Sequence, residues 1–199
     1  LKKHRAGQEP EMNLHVPQTE EAQAEAALLM SVQNQIRSPR FGGPIIGPRN
    51  DHISGLFLLT KKESMLTREE AAQLLARASI DMKLPNGIKF SGKDIFSLLL
   101  PNDLNVEFKS KSGVEGNVVI KKGKLVQGVI DKSSVGSEEG KIIDKIEKFY
   151  PPEQVREFID NCARLGVAML DARGFSIGIS DYDLDDEARS NINKSISKS

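Results

Sequence analysis

The sequence has one cysteine, no tryptophan, three histidines and no net charge, 28 Lys+Arg standing against 28 Asp+Glu. One cysteine cannot close an intrachain disulfide, and no Cys/His cluster has the spacing of a zinc site, so a stapled secreted domain is excluded. Long apolar runs are missing too. The longest are Leu56-Phe57-Leu58-Leu59 and Leu98-Leu99-Leu100, far short of the ~20 residues that span a bilayer. The first residues are basic (Lys2, Lys3, His4 and Arg5), but no apolar stretch follows them, so no signal peptide is expected. Balanced charge leaves no overall field to attract nucleic acid. What remains is a chain of 199 residues, 38% apolar with 16 glycines, which fits one domain, or a domain plus a flank, of ordinary globular composition. A soluble, cytoplasmic protein without membrane contact is expected.

Leu1 to Gln18 reads as an irregular lead, because Gly7, Pro10 and Pro17 oppose regular structure. Thr19 is an expected N-cap, with Glu20 and Glu21 placed to suit the helix dipole. Ala22, Ala26, Leu29, Val32 and Ile36 then recur at helical spacing, which predicts a buried face running to Pro39. Turns are expected at Arg40–Pro44 and Pro48–Asp51, with Ile45-Ile46 and Gly55–Thr60 as short buried extended segments. Thr67-Arg68-Glu69-Glu70 matches the capping box and predicts a helix to about Ala78. Ile88–Phe90 reads as a strand, and Ser91 caps a short helix carrying Ile95, Phe96, Leu99 and Leu100 that Pro101 stops. From Val106 to Ile130 the pattern is β, with Lys122-Gly123 as a hairpin turn.

The last third reads as helical. Ile142, Ile143, Ile146 and Phe149 form one stripe, and Pro151-Pro152 breaks it and opens the next helix. There Val155, Phe158, Ile159, Cys162, Leu165 and Met169 hold helical spacing, and Gly174 is the expected C-cap. Gly174–Gly178 reads as a compact turn, and the end from Ser190 as loose. The expected fold class is α+β, with helices flanking a small antiparallel sheet and a helical C-terminal third.

Candidate chemistry is sparse. His15 reads as a hydrogen-bonding loop residue. Cys162 lies on an apolar helix face with no base near it in sequence, so core packing outweighs nucleophilic catalysis. Phe41–Gly47 is glycine-rich but lacks the Gly-Lys-Ser/Thr ending of a phosphate loop. Lys109, Lys111, Lys121, Lys122 and Lys124 gather around the hairpin, yet no aromatics interleave to stack bases, and exposed strands carry Lys to discourage edge pairing. Asp181, Asp183, Asp185 and Asp186 lack the Gly and terminal Glu of a calcium loop and read as solvated charge. The residues alone give a fold class and no reaction.

A family resemblance adds what the residues cannot. Glu11-Met12-Asn13-Leu14-His15-Val16-Pro17-Gln18 with Thr19-Glu20-Glu21-Ala22 resembles the stretch after the catalytic aspartate loop in the largest subunit of multisubunit RNA polymerases. Ser38-Pro39-Arg40, Pro44-Ile45-Ile46-Gly47, Asn50-Asp51-His52-Ile53-Ser54-Gly55 and Leu58-Leu59-Thr60 continue it in order. Phe90-Ser91-Gly92-Lys93, Ser97 to Pro101, Gly123-Lys124-Leu125 and Gly128-Val129-Ile130-Asp131-Lys132 follow, and Gly174-Phe175-Ser176-Ile177-Gly178-Ile179-Ser180-Asp181 closes the series. The likeness covers about Glu11 to Leu184 and resembles the archaeal rather than the bacterial wording.

The resemblance implies an irregular lead over 1–16, a pore domain over 17–180 and a flexible, truncated start of a funnel domain over 181–199. In that family the pore walls the secondary channel for nucleoside triphosphate entry and backtracked RNA. The chain would then be part of a nucleotidyltransferase, with a DNA template, an RNA transcript and other polymerase subunits, especially the second-largest, as partners. By the same resemblance Glu11, Asn13 and His15 sit at the rim of the active centre, and Gly174, Phe175, Ser176, Gly178 and Asp181 mark the junction into the funnel. The family's Asn-Ala-Asp-Phe-Asp-Gly-Asp-Glu-Met-Asn motif holds the catalytic magnesium. Here Arg5-Ala6-Gly7-Gln8-Glu9-Pro10 precede Glu11, and none is Asp. The expectation is therefore no catalytic residue and no metal site in this chain, with magnesium belonging to the intact enzyme and this chain inactive alone. The alternative is a freestanding α+β interaction module without catalysis. An independent hydrolase is disfavoured, since three His and one Cys give no nucleophile, base and orienting group.

Overall fold

The computed structural model describes residues 14–198. Its spine is a pair of packed helices, α2 (Asp51–Thr60) and α7 (Pro152–Arg173). They approach so closely that a Cβ built on Gly55 would stand 1.9 Å from the Gly166 carbonyl oxygen, and one on Gly166 would stand 2.3 Å from that of His52. Only glycines admit this backbone-on-backbone contact. Around the pair lie α3 (Arg68–Arg77), α4 (Gly92–Ser97), α5 (Lys132–Val135) and α6 (Lys141–Phe149). The core joins Leu56, Leu59, Phe96, Ile120, Ile142, Ile146 and Leu165, each essentially without solvent contact.

Two small antiparallel sheets complete the α+β architecture. In the first, β1 (Met65–Thr67) pairs with β2 (Lys89–Ser91), setting Leu66 opposite Phe90. The second has the order β3 (Val106–Lys109), β4 (Asn117–Lys121), β5 (Lys124–Gln127). Its turn is the one the sequence predicts: Lys122 and Gly123 both take positive φ, 48° and 68°, as a tight hairpin of this type requires. The capping expectations also hold. Thr67 accepts from the Glu70 N–H while the Glu70 carboxylate takes the Thr67 N–H, and Ser91 with Asp94 forms a second such box. Pro152 opens α7, and its predicted stripe of Val155, Phe158, Ile159, Cys162, Leu165 and Met169 is buried throughout.

Five expectations are corrected. Gly55–Thr60 is helical, because its apolar run carries no period and a helix buried all round reads the same as a buried strand. The Thr60 hydroxyl donates back to the Leu56 carbonyl at 2.8 Å and accepts the Ile130 N–H at 2.9 Å, tying α2 to the end of the hairpin. The first helix, α1 (Glu20–Leu28), is capped by Thr19 as expected but buries no residue and stops well before Pro39. Side-chain amides of Asn34 and Gln35 donate to the Leu28 and Leu29 carbonyls, ending the helix, and of its predicted face only Ile36 is buried. Ile45 is exposed and Ile46 half-buried, neither in a named strand. Phe149 ends α6 facing solvent, with the Lys145 ammonium 4.7 Å from its ring centre. Finally, the end expected to be loose forms α8 (Asp186–Lys198), whose first turn is capped by the Asp185 carboxylate accepting the Ala188 N–H.

Candidate functional site

Glu11 and Asn13 lie outside the described residues. His15 is exposed and its ring makes no hydrogen bond among the described residues. The second expected group is better defined. The 22 residues of α7 run to Arg173, and Gly174, at φ 75° and ψ 155°, turns the chain out of the helix. Its N–H still donates to the Leu170 carbonyl at 2.7 Å, so the exit is fixed to the helix end. Gly174–Gly178 is irregular rather than a compact turn; the turn comes after it. The Gly178 N–H donates to the Asp181 carboxylate at 2.6 Å, and the Asp181 N–H returns to the Gly178 carbonyl at 3.2 Å. This reciprocal pair closes the short helical turn Ile179–Tyr182. Between these fixed points Phe175, Ile177 and Ile179 are 55%, 57% and 91% exposed. Three exposed apolar side chains thus fall within five residues. The Ser176 hydroxyl makes no hydrogen bond among the described residues. No hydrogen bond joins His15 to this segment.

Beside the root of that segment, α3, β1 and the end of α7 enclose a cleft of about 460 Å³ lined by Glu63, Leu66, Glu70, Arg77, Met169 and Arg173. Its rim carries an exposed Arg77–Asp171 ion pair at 3.2 Å, a contact that adds little to stability.

Sequence reasoning missed the densest polar cluster. Asp131 is buried, and its carboxylate accepts from the hydroxyls of Ser110 (2.7 Å), Ser133 (2.6 Å) and Ser134 (2.8 Å) and the amides of Ser134 (3.0 Å) and Ser112 (3.2 Å). Burial pushes its pKa up, but the hydrogen bonds from Ser133, Ser110, Ser134 and Ser112 outweigh it and hold the group below the usual carboxylate range. The carboxylate is saturated by its own chain, so its role is to staple β3, β5 and α5 rather than to meet a ligand. An Asp followed three residues later by Ser at a helix start was the available signal. Similarly, Glu115 takes Lys93 at 2.6 Å and the Lys62 N–H at 2.6 Å. Two further sequence candidates are structural. Phe41–Gly47 is a turn closed by Ser38 N–H on the Gly43 carbonyl. Cys162 is fully buried, which pushes its thiol pKa far up and leaves no thiolate to react. No group of three or more His, Cys, Asp or Glu side chains suited to a metal occurs among the described residues, and no helix among them is long and apolar enough to cross a membrane.

The described residues thus define an α+β module with a single apolar core and an exposed apolar junction at the end of α7. The family model for RNA polymerase Rpb1, domain 3 matches residues 35–182, and the chain belongs to that family. The match spans α2 through the Asp181 turn, the whole packed core. Among its relatives is the DNA-directed RNA polymerase subunit Rpo1N of Methanothermobacter thermautotrophicus, 42% identical over 92% of this chain and 22% of the relative. The same subunit of Thermoplasma acidophilum is 44% identical over 94% and 23%, and that of Halobacterium salinarum 43% over 94% and 20%. The chain spans about a fifth of the length of these relatives, and the archaeal wording read from the sequence agrees with them.

Proposed function

We propose that the chain serves DNA-directed RNA synthesis as the pore region of an archaeal polymerase largest subunit. It walls the channel by which nucleoside triphosphates enter and backtracked RNA leaves. Residues 17–180 form the pore, 1–16 lead in from the catalytic loop and 181–199 begin the funnel. Glu11, Asn13 and His15 lie at the rim of the active centre, and Gly174, Phe175, Ser176, Gly178 and Asp181 at the junction. The observation that carries this reading is that junction: the family match extends to it, and a long buried helix holds it rigidly while its apolar side chains face outward. The other polymerase subunits, the second-largest above all, cover such surfaces, with template DNA, transcript and nucleotides acting in the assembled enzyme in the cytoplasm. The rival reading, a freestanding interaction module, gains nothing from relatives that carry this sequence as a small part of their length.

Magnesium belongs to the assembled enzyme. It prefers octahedral oxygen ligation anchored by one or two carboxylates with substrate phosphates, and among the described residues no group of three or more metal-ligating side chains comes together. The chain alone neither extends a primer nor binds magnesium tightly. Extension of a templated primer by a preparation free of host polymerase overturns this. The channel role is tested in a reconstituted archaeal polymerase carrying Phe175→Ala and Asp181→Asn in this region. With assembly intact, the nucleotide KM rises several-fold or cleavage of backtracked transcript slows, while kcat at saturating nucleotide is kept. Unchanged values for both refute the role.

A further inference from the structure

The three-stranded sheet turns Val106, Phe108, Val118, Ile120 and Leu125 towards the core and leaves its other face in solvent. On that face the register sets Lys121 directly opposite Lys124, with Lys122 in the turn between them. All three are exposed and none forms an ion pair among the described residues, whereas Lys93 and Lys111 hold Glu115 and Glu139 at 2.6 and 2.9 Å. Like charges directly opposed across strands are destabilising. Protection of a sheet edge accounts for Lys109 and Lys124 on the outer strands. It does not account for Lys121, which sits on the central strand.

Nor can the turn backbone swing its lysines onto separate faces. The Lys122 N–H donates to the Asn105 side-chain oxygen at 3.0 Å and the Gly123 N–H to the Leu104 carbonyl at 3.0 Å. A Cβ on Gly123 would meet the Pro101 carbonyl oxygen at 2.5 Å. The turn backbone is therefore clamped on the 101–105 segment, and three lysines leave it side by side at one end of a shallow groove of about 670 Å³. That groove is floored by Val119 and bears a single carboxylate, Glu107.

We propose that this end of the β4–β5 hairpin docks an extended acidic segment of another polymerase subunit, a proposal that rests on the polymerase reading. Charge complementarity selects the partner: carboxylates laid along the groove relieve the repulsion the fold holds in place, and the half-buried Val119 takes a small apolar contact. A nucleic-acid strand fits less well, because no aromatic side chain lines the groove to stack its bases.

Two measurements test this. The first uses the chain itself and fluorescence anisotropy with labelled decaglutamate and decathymidylate at low salt. Decaglutamate binds, added salt weakens it, and the combined K121Q, K122Q and K124Q changes reduce its affinity about ten-fold or more. That variant melts no lower than the unsubstituted chain, since it loses only repulsion. Absence of peptide binding, unchanged affinity in the variant, or tighter binding of decathymidylate overturns the proposal. The second uses zero-length carbodiimide coupling in the reconstituted polymerase, where these lysines join Asp or Glu of another subunit. Lysines that react with acetic anhydride as fast in the polymerase as in the chain alone overturn it. Failure of the chain to enter the polymerase at all refutes the polymerase reading instead, and the peptide measurement then still judges the surface.

Discussion

Replacing Gly55 by alanine sets two effects of opposite sign against each other. Helix propensity favours the change by about 0.8–1 kcal/mol. The seam between α2 and α7 opposes it, because the new Cβ would lie 1.9 Å from the Gly166 carbonyl oxygen and 2.6 Å from its carbon. Carbon needs about 3.5 Å there, so the helices must part by more than ~1 Å, and no rotamer can relieve a clash between backbones. A gap of ~0.5–1 Å already forfeits a quarter to a half of each dispersion contact, and Leu56, Leu59, Cys162 and Leu165 all pack along this seam with no solvent exposure. Overpacking of a core costs ~1–3 kcal/mol and at times more. A backbone clash belongs at the upper end, so the net loss after the propensity gain is about 2 kcal/mol or more. For a chain of this size that lowers the melting temperature by roughly 4–8 °C or more. Urea denaturation followed by circular dichroism reads the loss directly. Gly166→Ala behaves alike, and the double variant loses less than the sum, because the helices have already separated for the first methyl. A Gly55→Ala chain as stable as the unsubstituted one, or more so, refutes the close crossing.

Phe158→Ala removes a buried ring that stands edge-on to Phe96 at 6.4 Å between centroids; it costs roughly 3–5 kcal/mol, and a loss below about 1 kcal/mol in urea denaturation shows that the α7 stripe is not core. Asp131 titrates below its unfolded value, so its stabilising contribution is complete above that value, about 3.9, and fades as pH falls through the lower folded value. The urea midpoint therefore drops on acidification from about pH 5 to pH 3, and Asp131→Asn, less stable at neutral pH by ~1–3 kcal/mol because its amide faces donors, shows a shallower acid limb; parallel limbs refute the assignment.

Local rules that act within a few residues were legible. Thr67, Ser91 and Thr19 cap helices where the sequence says they should, and the Lys122-Gly123 turn and the Pro152 start need no distant partner to be favourable. The failures are those in which a distant partner decides. The run Leu56–Leu59 carries no period, and only the glycine contact with α7 and the Thr60 bond to Ile130 select helix over strand. In α1 the period is present but nothing among the described residues lies opposite it, so no face is buried. Met65–Thr67 is a strand only because Lys89–Ser91 returns beside it.

The candidate site follows the same division with greater force. Composition and spacing find a reaction centre when one chain supplies its nucleophile, base or metal ligands, and among the described residues no group of three or more metal-ligating side chains comes together. Its unusual features are unsatisfied ones instead: Phe175, Ile177 and Ile179 exposed just past the end of α7, and Lys121, Lys122 and Lys124 at one clamped turn with no ion pair among the described residues. An apolar side chain left in water and a lysine opposed to a lysine both raise the free energy of the isolated module. In the reading proposed above, a neighbouring polypeptide or substrate supplies the missing contact. For a module that amounts to about a fifth of its relatives' length, the site is then a set of half-made interactions, and half of a contact has no signature in a sequence until the fold shows that its own chain leaves it open.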